Sequence, residues 1–309
     1  GDFRAEKETE LMKLTTLFDK GDFVITGEVG PIKGAIHRDK SIEPGCAIEA
    51  LSLQQHVHAV NVTDNQSAVM RLGSLAASVR LKAAGIEPVY QLTCRDRNRL
   101  ALQSDLLTAY SLGIDNVLLL TGDHIHLGDH KEAKPVFDLD SVQLIQMAKG
   151  LSEGRDITGS PIENNIDMAF GAVVNPNFEP LDLQLMKMGK KIDAGADFFQ
   201  TQAVYDPGCF EQFAKKTQSF NCPVQVGVVV LKSPEMGRYM NKNVSGIHVP
   251  EHWIEEIGSV EKKDRKKKAA EMTGRFLQQI KPLVQGVHIM PLGWTDIVPD
   301  ILDYAEISK

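Results

Sequence analysis

The chain has 309 residues, 42% of them hydrophobic and 24% charged, with a formal net charge of −7. That balance suits a globular protein with a self-sufficient core, and it disfavours nucleic-acid binding, which needs a basic face against phosphates. No run approaches the ~18 apolar residues of a membrane span, and the N-terminal stretch carries no apolar signal block.

Cys46, Cys94, Cys209 and Cys222 are scattered without a CxxC pair, so neither a disulfide framework nor a zinc ribbon is expected. The expectation is a cytoplasmic protein. In chain order, eight short apolar runs follow one another. They are FVITGEV (23–29), AVNVTD (59–64), EPVYQLT (87–93), NVLLLTG (116–122), DMAFGAVVN (167–175), DFFQTQAV (197–204), PVQVGVVVL (223–231) and GVHIMPLG (286–293). Runs apolar on both faces belong to parallel sheets covered by helices. Amphipathic patterns over 67–85 and 181–196 lie between them, each closed by a glycine. The basic run EKKDRKKKAAE (261–271) falls inside a helical pattern and reads as a solvated face.

Eight strand–helix alternations predict the α/β class and a (β/α)8 TIM barrel, with 1–309 as one domain. An open doubly wound sheet is the alternative, but its G-x-G-x-x-G fingerprint is missing. In a barrel, chemistry sits at the C-terminal strand ends. That rule nominates Glu28, Thr63, Asp64, Gln91 to Asp96, Thr121 to Asp123, Asn175, Gln202 and Met290.

The stretch TGDHIHLGDH (121–130) has the look of a metal site, with His124, His126, His130, Asp123 and Asp129 close in sequence. Metal ligands must converge at about 2 Å, usually from more than one segment, and no H-E-x-x-H helix is present. The expectation is a polar loop without metal, with His124 the member that touches substrate.

At ITGEVGP, PVYQLTCRDRN, LLLTGD and KKIDAGADFFQTQAVYD the chain resembles methylenetetrahydrofolate reductases, flavin-dependent (β/α)8 enzymes. The resemblance runs from Glu28 to the GVHIMPL of the last strand, with segment order and spacing preserved. It implies reduction of 5,10-methylenetetrahydrofolate to 5-methyltetrahydrofolate by hydride from a bound FAD or FMN. Opening the methylene bridge needs a proton on the leaving aniline nitrogen, and a buried carboxylic acid suits that role. Glu28 matches the family's catalytic glutamate, and Asp123 an aspartate near flavin and folate that stabilises the opened cation. Gln202 matches a glutamine that hydrogen-bonds the pterin edge. Thr63 and Lys191 match residues on the flavin, the lysine at its phosphates, and Leu120, Thr121 and Gly122 would run their backbone along its ring. Gln91, Arg95 and Asn175, at further strand ends, complete the expected cofactor set.

The departures bear on the electron donor. Ala203 and Val204 stand where well-known members carry two phenylalanines, so direct use of NADH or NADPH is put in question. The donor is NAD(P)H or a partner iron–sulfur redox protein. Arg95, Asp96, Arg97 and Asn98 form an added charged cluster that binds flavin phosphates or a folate glutamate tail, or pairs internally. A flavin-free pterin-binding methyltransferase or carrier on the same barrel is the alternative function. A homo-oligomer is compatible with either.

Overall fold

Each of the eight apolar runs forms a strand, and the strands close into a parallel barrel in chain order. The computed structural model describes residues 13–36 and 46–309; the N-terminal stretch read for an apolar block lies largely outside them. The strands are β1 (Val24–Val29), β2 (Ala59–Val62), β3 (Pro88–Thr93), β4 (Asn116–Leu120), β5 (Ala169–Val174), β6 (Phe198–Ala203), β7 (Val224–Val229) and β8 (Gly286–Met290).

Helix α1 (Leu14–Lys20) precedes the barrel. Outside it run α2 (Cys46–Leu53), α3 (Ser74–Ala83), α4 (Arg99–Ser111), α5 (Ser141–Ser152), α6 (Leu181–Asp193) and α7 (Pro207–Thr217). Three helices, α8 (Pro234–Asn243), α9 (Glu251–Gly258) and α10 (Arg265–Ile280), connect β7 to β8, and α11 (Val298–Tyr304) follows. Among the described residues no helix is long and apolar enough to cross a membrane.

Helix α6 forms close to its expected span, but the pattern over 67–85 yields a helix only from Ser74. Asn65, Ser67 and Ala68 have φ of 45°, 55° and 58°, the left-handed region, which a right-handed helix cannot absorb. Their neighbours find other partners: the Met70 amide donates to Asp129 Oδ1 and the Arg71 amide to Asn65 Oδ1. The basic run opens α10 with Lys266 paired to Asp296, and Lys268 paired to Glu256 and Glu271.

Two apolar clusters hold the fold. The larger lies between strands and outer helices. The smaller fills the base of the barrel with Val24, Ala59, Val89, Leu118, Ala169 and Phe198, sealed by Leu14 and Leu17 of α1. The Leu14 amide donates to Asn116 Oδ1 at 2.8 Å, which seats the helix on β4. Leu14→Ala is expected to cost about 3 kcal/mol, from lost burial and the cavity left at the base. Chemical denaturation measures it, and a loss below about 1 kcal/mol would mean that α1 is not held there.

Because strand side chains alternate, Val24, Thr26 and Glu28 of β1 face inward at successive heights. Val24 belongs to the apolar base, Thr26 to a buried polar layer, and Glu28 to the mouth. Above the base, therefore, the interior of this barrel is polar.

Candidate functional site

The C-terminal end of β1 brings Glu28 to the mouth with its side chain 11% exposed. Gln91 of β3 donates from Nε2 to Glu28 Oε2 at 3.3 Å. His288 of β8 places Nε2 at 3.4 Å from the same oxygen. The carboxyl group is thus pinned on one oxygen by two neighbours.

Beneath it, His288 Nδ1 lies 3.0 Å from Thr26 Oγ1. Thr26 in turn meets the amides of Gln200 and Gln225, and Gln200 pairs with Asn61. All five residues are at most 3% exposed, so their polar groups must satisfy one another. Sequence reading missed this layer. Its signal was present: Thr26, Asn61, Gln200, Gln225 and His288 each interrupt an apolar run buried on both faces, where a lone polar group would be costly.

The other expected site residues divide into two groups. Thr63, at the end of β2, is 2% exposed, and its Oγ1 has no hydrogen-bond partner among the described residues. Gly122 follows β4 with φ +90°, and a Cβ there would lie 3.0 Å from Thr93 Cβ and 3.2 Å from Arg95 Cβ. Only glycine lets the chain turn this tightly over β3. Leu120 precedes it, half-buried against the base cluster. Asp123, His124 and Gln202 are exposed. A register shift between Gln200 and Ala203 marks a bulge in β6, the kind of irregularity that re-aims a side chain beside a site.

Lys191, near the end of α6, donates to the Val173 carbonyl of β5 at 2.6 Å. Burial first, and then the charge of Lys187, push its pKa down to about 8. An ammonium held by one carbonyl and disfavoured by its surroundings suits an anionic ligand. The orphan Thr63 hydroxyl, the glycine cradle and this lysine fit a phosphate-bearing, ring-shaped cofactor.

The remaining three have other engagements. Arg95, 2% exposed, grips Asp96 from Nε at 3.0 Å and Nη2 at 2.8 Å, and reaches the carbonyls of Asp64 and Asp123, each at 3.4 Å. Arg97 holds the buried Asp64 at 2.7 Å and Asp105 at 2.8 Å. Within the Arg95–Asn98 cluster only Arg95 and Asp96 pair with each other, while Arg97 pairs outside it and Asn98 caps α4. Asn175 turns its Oδ1 onto the Asn177 amide. Thr121 Oγ1 accepts the Ser141 amide at the start of α5. Cys94 beside them is fully buried, and burial pushes its thiol up to about 12, which disfavours the thiolate.

Ala203 and Val204 are 0% exposed in the barrel wall. Tyr205 and Trp253 are core residues too, in edge contact at 5.0 Å with the Tyr205 hydroxyl donating to the Val229 carbonyl. As for the histidine loop, the His126 amide donates to His124 Nδ1, while His130 and Lys33 share Asp129. The His124 ring stacks with Phe137 at 6.1 Å. Among the described residues no group of three His, Cys, Asp or Glu is placed to hold a metal.

The chain is similar to methylenetetrahydrofolate reductase (NADH) 1 of Arabidopsis thaliana, 31% identical over 153 residues, which cover 48% of this chain and 26% of that protein. A probable methylenetetrahydrofolate reductase (NADPH) of Caenorhabditis elegans is 23% identical over 202 residues, covering 65% of this chain and 28% of its own length. The chain thus spans about a quarter of the length of these curated relatives. Among solved structures, a Clostridium thermocellum protein described as binding two copies of 5-methyl-5,6,7,8-tetrahydrofolic acid superposes with a TM-score of 0.60. It is 13% identical and covers 94% of this chain and 99% of its own, a likeness of fold. The methylenetetrahydrofolate reductase family pattern matches residues 13–306, nearly the whole chain, and the chain belongs to that family.

Proposed function

We propose that this protein is a flavin-dependent methylenetetrahydrofolate reductase, forming 5-methyltetrahydrofolate. The observation that carries the reading is Glu28, an inward carboxyl group at the barrel mouth held by Gln91 and His288 on a single oxygen. Bound FAD or FMN would supply the hydride. Thr63, the backbone of Leu120 to Gly122, and Lys191 would hold it, the lysine at its phosphate.

Glu28 donates its proton to the aniline nitrogen of the methylene bridge, which breaks the bond from that nitrogen to the bridging carbon and leaves a cationic iminium. Asp123, exposed in the loop after β4, supplies the carboxylate that stabilises that positive charge. Gln202 offers an amide donor and acceptor to the pterin edge, and His124 borders the substrate. The methyltransferase or carrier alternative requires no flavin, and it leaves both the orphan Thr63 hydroxyl and the buried Lys191 without purpose.

Purified protein is expected to be yellow, or to become so with FAD or FMN. It should bleach with dithionite and regain absorbance on adding methylenetetrahydrofolate. Protein that binds neither flavin would sink this reading. In the same spectrometer, bleaching by micromolar NADH or NADPH at ~10 per second, an ordinary turnover, identifies a nicotinamide donor. Bleaching only by a reduced iron–sulfur protein identifies a partner.

Lys191 makes a pH prediction. Its folded pKa of about 8 lies below the ordinary 10.5, so it is protonated in folded and unfolded chains alike below pH 8. The cost of burying its charge is fully present there and is relieved as pH rises towards 10.5. A phosphate beside the ammonium removes that cost. Flavin affinity should therefore be greatest below pH 8 and fall above it by at most about tenfold per pH unit, as binding must then take up a proton. Fluorescence titration measures it. Affinity independent of pH across this range, or unchanged in Lys191→Gln, would remove Lys191 from the phosphate site.

A further inference from the structure

The neighbours of Glu28 decide how its proton is shared, and the buried amides beneath it decide the state of one neighbour. Gln225 Nε2 lies 3.2 Å from the Val24 carbonyl oxygen and 3.3 Å from that of Val287. Carbonyls only accept, so the nitrogen end of this amide is fixed. Its Oε1 then receives Gln200 Nε2 at 3.1 Å, and Gln200 Oε1 receives Asn61 Nδ2 at 2.7 Å. Each orientation follows from the one before.

The result is that two amide nitrogens converge on one hydroxyl. Gln225 Nε2 is 3.2 Å and Gln200 Nε2 is 3.3 Å from Thr26 Oγ1. A hydroxyl has two lone pairs and one proton. Each amide nitrogen has two protons for three acceptors. Gln225 serves the two carbonyls as well, and Gln200 serves Asn61 Oδ1 at 3.2 Å and Gln225 Oε1, so the N–H groups are shared. But neither nitrogen can accept, and the hydroxyl proton goes to His288 Nδ1 at 3.0 Å in preference to the Val287 carbonyl at 3.4 Å. Nδ1 then accepts, and the ring proton sits on Nε2 facing Glu28.

We propose that Gln200 and Gln225, acting through Thr26, are positioning residues that lock His288 as its neutral Nε2–H tautomer, a fixed donor to Glu28 and not a proton carrier. The role of Glu28 in this statement rests on the reductase reading; the tautomer does not. An imidazolium would need a proton on Nδ1, aimed at an oxygen already flanked by two amide nitrogens that can only donate. The residue is 3% exposed, so water offers no other acceptor. The titratable group facing its ring is Glu28 of β1, while β7, on the other side, presents the neutral Gln225.

The proton balance follows. Glu28 Oε2 receives N–H groups from His288 and Gln91, so Oε1 carries the acid proton. That proton passes to the substrate nitrogen, the carboxylate left behind keeps both donors, and water at the mouth restores the proton. His288 neither gains nor loses one.

Nitrogen-15 NMR of the full chain, labelled at histidine, tests this directly. The His288 signals are assigned by their loss in His288→Gln. The wild type is expected to show a bare Nδ1 and a protonated Nε2. Thr26→Val, equal in shape but lacking the hydroxyl, should admit the second tautomer, and Thr26→Ser should restore the first. Thr26→Val should also slow folate-driven reoxidation about tenfold, the worth of one hydrogen bond, at unchanged KM. A wild-type ring protonated on Nδ1, alone or with Nε2, overturns the proposal whatever the variants do. So does a Thr26→Val ring identical to the wild type. A protein with the expected ring spectrum but no folate reduction keeps the tautomer assignment and sinks only the reductase reading.

Discussion

Glu28→Gln is expected to bind flavin and folate normally and to lose about 10²- to 10⁴-fold in the rate at which methylenetetrahydrofolate reoxidises the reduced protein. Glutamine keeps the length and shape of the side chain. Its oxygen can occupy the position of Oε2, where Gln91 and His288 donate, and its NH₂ the position of Oε1. The pinning contacts survive, so neither fold nor binding is expected to change. What disappears is a proton acidic enough to leave for the substrate nitrogen. Stopped-flow absorbance separates the steps, and reoxidation at the wild-type rate would reduce Glu28 to a polar strand end.

Asp64→Ala is expected to destabilise the protein by about 3–5 kcal/mol, towards the lower figure because Arg97 retains Asp105. The Asp64 side chain is 0% exposed. One oxygen accepts the Thr93 amide, the Thr93 hydroxyl and Arg97 Nη1, at 3.0, 2.8 and 2.7 Å. Removing it strands three donors, one of them charged. Asp64→Asn should cost less, since an amide oxygen still serves Thr93. Denaturant titration of both variants measures the difference; equal losses would mean that the charge on Asp64 contributes nothing.

The eight strands were legible because a parallel barrel demands apolar runs buried on both faces, and each run in the sequence lies within a few positions of a strand. Strand order and the mouth followed from that alone. The helix over 67–85 was overread: its amphipathic spacing gave no warning that Asn65, Ser67 and Ala68 adopt left-handed conformations. The RDRN cluster could not be resolved in sequence, since charges bound for a ligand and charges bound for each other look alike. In the fold Arg95 finds Asp96 beside it and carbonyls from two neighbouring loops, and Arg97 finds Asp64 and Asp105. His288 was overlooked because a single histidine in GVHIMPLG carries no pattern of its own. Its meaning comes from Thr26, 262 positions away.

Helix α1 has a consequence for how the chain is built. Leu14 takes its backbone partner from Asn116, 102 residues later, and packs in the same cluster as Phe198. During vectorial synthesis these contacts do not yet exist when α1 emerges, and seven residues make a marginal helix by themselves. The segment must wait, apolar face uncovered, until β4 and then β6 have been translated. The start of the described chain is thus among the last parts to settle, and a chaperone that grips apolar segments would find it there while the barrel remains open at its base.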